Sequence, residues 1–134
     1  MPRIKLSVGL FLCAAILLTS FLHGRSQDDG PVSLIQLIAN PEKYDGKQVL
    51  VLGFLRLEFE GNALYLHADD YKNNIYGNAI GVGVTKQWRW SKDEVNMHYV
   101  MLGGTFRAGK SNLHTGVIVD VTSVTVWPKQ TPKK

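Results

Sequence analysis

The sequence predicts a mainly β protein: a closed five-stranded barrel, with one short helix ahead of the first strand and another between the third and fourth. Three observations carry this expectation. From Gln48 onward the apolar residues recur with period two, the repeat of a strand and not of a helix. The strand-like runs are short and separated by stretches of turn-forming residues, with Gly61-Asn62 the strongest signal among them. The helix-like segments are brief, one opening at Ser33 and one at Ser91.

Ahead of the barrel, Arg3 and Lys5 precede an uncharged run from Leu6 to Leu22, followed by a polar stretch. Residues 1–25 therefore read as a secretory signal cut near Gly24 or Ser26, or as an uncleaved amino-terminal anchor held by residues 6–22. Either reading places the working protein in the periplasm or outside the cell. Lipidation of Cys13 is the weaker idea, because Leu10, Phe11 and Leu12 stand where a lipoprotein signal needs a small residue. Cys13 is more simply an apolar member of the run.

The whole chain has 15 Lys and Arg against 11 Asp and Glu, but Arg3, Lys5 and Arg25 belong to the leader, leaving 12 against 11. Lys129, Lys133 and Lys134 sit in a tail, residues 129–134, that reads as disordered. The barrel domain, residues 26–128, is then near neutral and lacks the basic stripe of a nucleic-acid binder. With Cys13 gone it holds no thiol and no disulfide, so packing must stabilise a single domain of roughly 105 residues.

Ser33 caps a helix whose Leu34, Leu37 and Ile38 share a face, and Pro41 ends it. The turn-rich stretch from Pro41 to Gly46 follows, with Tyr44 packing on the helix or plugging a barrel end. Gln48 to Phe59 is the longest strand, with Gly53 marking a bulge or sharp coil. A two-residue loop at Gly61-Asn62 would set Arg56 opposite His67 and Glu58 opposite Tyr65, and Leu57, Phe59, Leu64 and Leu66 would point inward. Asp69 to Asn78 reads as a polar loop with at most one helical turn. A third strand covers Ala79 to about Val84, where Gly81 and Gly83 leave one face bare, for close packing or for a ligand.

Trp88-Arg89-Trp90 precedes a capping box, Ser91-Lys92-Asp93-Glu94, and a short helix with Val95 and Met97. The fourth strand runs from Tyr99 to Phe106 and bends at Gly103-Gly104. In the fifth, Val117, Val119 and Val121 share a face, and a bulge near Ser123 brings Val124 and Val126 inward. This order of elements is that of the OB-type Greek-key barrel.

The stretch Pro41-Glu42-Lys43-Tyr44-Asp45-Gly46-Lys47-Gln48-Val49, with Val51 and Gly53, and then Tyr99-Val100-Met101-Leu102-Gly103-Gly104, resembles the first and fourth strands of secreted bacterial OB-fold domains, including those grouped as tRNA-anticodon-binding-like. The segment from Val32 to Tyr71, with Leu57-Glu58-Phe59-Glu60-Gly61-Asn62-Ala63-Leu64-Tyr65-Leu66, is similar to a family of uncharacterised bacterial envelope or lipoprotein-type proteins. The resemblance implies a barrel in the envelope and lends no activity. The chain departs from the pattern between Arg107 and Gly116, where Ala108-Gly109-Lys110-Ser111-Asn112-Leu113 replaces a loop expected to be richer in glycine and aromatics.

Two groups are candidates for ligand binding: Arg56, Glu58, Tyr65 and His67 as an outward polar patch, and Trp88, Arg89 and Trp90 as large rigid contact residues. At least one of the two tryptophans is also expected to cap the barrel. Glu58 and Glu60 resemble the carboxylates of an OB-type secreted nuclease, but residues two apart on a strand stand roughly 6–7 Å apart in the open, so salt bridging is the simpler account. His67, Asp69 and Asp70 supply metal-type donors in too small a number for a site. His98 and His114 are lone histidines, and Ser91, Ser111 and Ser123 sit in no nucleophile motif. The expected function is a non-catalytic binding module, with no cofactor and no metal, recognising a protein or envelope-polymer ligand on the face of strands one to three. An immunity or inhibitor protein directed at a toxin or lytic enzyme is one alternative, and a nuclease is another.

Overall fold

In the computed structural model, which describes residues 30–109 and 113–128, the five strands close into a single barrel in the order β1-β2-β3-β5-β4. The leader (1–25), Cys13 within it and the tail (129–134) lie outside the described residues. In chain order the elements are α1 (Leu34–Ala39), α2 (Pro41–Tyr44), β1 (Gln48–Arg56), β2 (Ala63–Tyr65), α3 (Ala68–Lys72), a 3-10 turn (Tyr76–Asn78), β3 (Ala79–Val82), α4 (Lys92–Val95), β4 (His98–Ala108) and β5 (Gly116–Val126). All pairings are antiparallel except β3 with β5, which is parallel and closes the barrel. The predicted OB-type barrel is therefore the architecture found.

β1 makes closure possible by coiling, since its first eight residues pair with β4 while its end turns to pair with β2. Gly53 lies at the crossing, where an added Cβ would stand 2.6 Å from Leu64 Cγ. The glycine expected as a bulge or coil is a coil, because the β1–β4 register runs through it unbroken. Val49, Val51, Leu55 and Leu57 line the interior with Leu64, Ile80, Val82, Leu102 and Phe106. α1 seals one end, its Ser33 capping box made with Gln36, and both Leu34 and Leu37 fully buried. Pro41 ends α1 by starting the one-turn α2, and Tyr44 packs half-buried against the core.

The predicted hairpin is corrected. Arg56 pairs with Ala63 and not His67, so the connection is the six-residue loop 57–62 and β1 ends before Phe59. Side chains replace the ladder here: Leu57 N–H donates to Asn96 Oδ1 (2.7 Å) and Glu58 N–H to Asn62 Oδ1 (2.9 Å). The register error is an even number of residues, so Leu57 and Leu64 still point inward as expected. Phe59, expected inside, is 98% exposed on the loop, and Leu66 is only half-buried.

Three smaller expectations also change. In β5 the inward residue before the bulge is Ile118, while Val117 and Val119 are half-exposed; the irregularity falls opposite Gly104, where Asp120 takes a φ of +47°. Val124 returns to the core, but Val126 lies past the buried length of the strand and is exposed. Ser91 begins α4 without a side-chain cap, and Met97 leaves the helix at a φ of +63°, exposed. Gly81 and Gly83 serve close packing, an added Cβ on each standing 3.3 Å from Val117 and Val119 of β5 respectively.

Candidate functional site

The site forms on the outer surface of the barrel. Alternation along β1 turns Phe54 and Arg56 outward, and the same alternation in β2 and β3 brings Ala63, Tyr65 and Ala79 to that face. These side chains would meet water were it not for the β2–β3 connection, which folds back as α3 and lays Tyr71 and Ala68 over them. Asp70 holds the helix in place. Its buried carboxylate accepts His67 N–H (2.9 Å) through Oδ2 and Asn78 Nδ2 (2.9 Å) through Oδ1. Ring contacts continue the attachment, Tyr71 lying 5.5 Å from Tyr65 and 6.3 Å from Phe54, while the Tyr99 hydroxyl accepts the Ala68 N–H (3.1 Å).

Arg56 is the hub of the polar part. Its Nε donates to Glu58 Oε1 (2.9 Å) and to Tyr71 Oη (2.9 Å), its Nη1 to Asn96 Oδ1 (3.3 Å), and its guanidinium lies 5.1 Å from the Tyr71 ring centre. Tyr71 O–H donates in turn to Glu58 (3.3 Å). Arg56 and Glu58 are both partly shielded from solvent, and the shared Tyr71 gives their pair a fixed geometry that an isolated surface pair lacks.

Beside this hub opens a cleft of about 420 Å³. Loop 57–62 contributes Glu58, Glu60 and Gly61 on one side; Tyr71, Lys72, Asn74 and Tyr76 form another; Tyr65 lies between them, and Leu113 and His114 complete the wall from the β4–β5 connection. Gly61 (φ +86°) and Asn74 (φ +56°) turn the backbone on opposite sides, and Asn74 Oδ1 accepts the Tyr76 hydroxyl (3.1 Å). Lys72 is occupied by Asp69 (3.1 Å), whereas Glu60 enters no ion pair among the described residues. Tyr65 is 4% exposed, and its hydroxyl makes no hydrogen bond with a described residue. Burial above all, then the neighbouring Tyr76, Glu58 and Tyr71, push the Tyr65 pKa up from its ordinary value, against the opposing pull of Arg56.

The structure thus brings Arg56, Glu58 and Tyr65 together, while His67 stands exposed at the start of α3. Trp88, Arg89 and Trp90 belong elsewhere. Trp88 and Trp90 are half-buried against the barrel core, packed edge to face at 5.2 Å, with Trp88 Nε1 donating to Trp90 O (2.9 Å). Arg89 is exposed and lies over Trp90 at 5.7 Å, and Trp88 borders a second cleft of about 340 Å³ with Gln87 and Asp120. Tyr71, Tyr76, Asn74 and Asn96 escaped the sequence reading. Two tyrosines five residues apart in an otherwise polar stretch were the available signal. Among the described residues no three His, Cys, Asp or Glu side chains converge on a point where a metal ion could sit.

No protein-family model matches the chain, and no curated protein matches it. The similarity seen in Pro41 to Gly53 and Tyr99 to Gly104 stands on those residues alone.

Proposed function

We propose that the protein is a binding module, working outside the cytoplasm, that takes a protein or envelope-polymer ligand on the outer face of β1–β3. The observation that carries this reading is the cleft itself. Its volume of about 420 Å³ falls in the range of ligand sites, and phenol rings with a few placed polar groups are the lining such sites use. Its walls come from a loop and a helix that side-chain hydrogen bonds hold on a rigid barrel, which favours recognition at low ordering cost. The extracytoplasmic setting rests on Arg3, Lys5 and the apolar run from Leu6 to Leu22.

The test is an amide-resolved titration of the isotope-labelled protein with peptide and polymer fractions from the envelope of its host. Shifts are expected at Gly61, Tyr71, Asn74 and Tyr76, and Tyr76→Ala is expected to abolish them while leaving stability within about 0.5 kcal/mol, as befits an exposed side chain. Shifts confined to the Trp88 cleft, or unaltered by Tyr76→Ala, would overturn the assignment of the site.

A further inference from the structure

We infer that the cleft accepts the ammonium group of a lysine side chain presented by a peptide, with Tyr65 Oη and the Glu60 carboxylate as its partners. This rests on the binding reading above and names the chemistry of that site. The first argument is a free acceptor. Tyr65 is 4% exposed as a residue, but its hydroxyl oxygen is not among the fully buried unpaired atoms and bonds no described residue, so in the cleft wall it is open to a guest. An ammonium brings three donors for such an oxygen and can take the place of water there.

The second argument is charge. Among the described residues, Arg56 and Lys72 beside the cleft are already committed, to Glu58 and Asp69, while Glu60 pairs with neither. Among the described residues the Glu60 carboxylate is thus left for a positive guest.

The third argument is shape. The 39%-exposed Tyr76 ring and the half-exposed Leu113 line the same cleft as the Tyr65 hydroxyl and offer it apolar surface, suited to a methylene stem and to a cation over an aromatic face. The face of Tyr71 is already taken by Arg56. A thin alkyl chain lies along such walls, whereas an amino sugar brings a ring and several hydroxyls that the apolar residues would desolvate.

The experiment titrates the protein with a blocked Gly-Lys-Gly peptide, its norleucine counterpart and glucosamine, following the Gly61, Asn74 and Tyr76 amides. The lysine peptide is expected to shift them and the norleucine peptide is not. Tyr65→Phe, which keeps the ring, should weaken binding about tenfold or more, and the exposed Glu60→Gln about two- to fivefold. Equal binding of both peptides, glucosamine binding as tightly as the lysine peptide, or insensitivity to both substitutions would overturn the inference. A silent lysine peptide, with envelope fractions still moving the cleft amides, would remove the ammonium assignment and leave the binding module standing. Silence from both would remove the two together.

Discussion

Replacing Asp70 by Ala tests whether the outer-face site depends on one buried carboxylate. Asp70 is 7% exposed, and each of its oxygens is used, Oδ2 by His67 N–H at the start of α3 and Oδ1 by Asn78 Nδ2 at the end of the connection, both at 2.9 Å. Losing the first bond removes a helix-start acceptor, and losing the second strands a half-buried amide that had a charged partner, so the expected destabilisation is about 2–4 kcal/mol. Its neighbour Asp69 provides the control, since its bond to Lys72 is 3.1 Å long between side chains that are 80% and 63% exposed. Asp69→Ala should cost less than about 1 kcal/mol. Urea unfolding followed by tryptophan fluorescence measures both, with the dependence on denaturant unchanged if the barrel itself remains the cooperative unit. A cost below about 0.5 kcal/mol for Asp70→Ala, or equal costs for the two variants, would refute the idea that this carboxylate fastens α3 to the barrel.

Gly104→Ala places a Cβ 2.6 Å from Ile118 Cγ2 and 2.8 Å from the Val119 carbonyl, so it should lower stability by about 1–3 kcal/mol and visibly reduce Tm, while Gly77→Ala, with nothing within 4 Å, should not. Equal Tm values for these two variants would contradict the tight β4–β5 crossing. Tyr65 carries an alkaline prediction. Its folded pKa lies above the ordinary 10.0, so the folded state keeps a proton that the unfolded chain releases. The resulting stability is present in full below about pH 10 and is lost as the pH rises through the folded value. Unfolding free energies measured across that interval should fall less steeply in Tyr65→Phe than in the wild type, and parallel curves would count against the burial of this phenol.

Local pattern made much of the barrel legible. Period-two alternation identified the strands, Ser33 and Pro41 bounded α1, and Gly53 and Gly103-Gly104 marked where the sheet must coil or be crossed closely. The hairpin is instructive in the way it differed. Gly61-Asn62 is a turn signal, but Asn96, far along the chain, captures Leu57 N–H and ends the ladder early. Because the resulting offset is even, the faces survived while the partners changed, and Phe59 was released to solvent.

The candidate site was half legible for the same reason. Arg56 and Tyr65 follow from alternation on neighbouring strands, while Glu58 lies past the end of β1 and joins them through its bonds to Arg56 and Tyr71. Tyr71, Tyr76 and Asn74 lie in a segment whose polarity says loop, and only its return over Phe54 and Tyr65 makes it a wall. Trp88 and Trp90 read equally well as contact residues or as packing, and the barrel end beside them places both half-buried against the core. By itself the sequence determined the strands, the first helix and the inward side of β1 and β4, because those depend on neighbours a few positions away. The tertiary structure alone decided the loop, the cleft and the loosening of Phe59, because these depend on which distant side chain reaches a backbone group first.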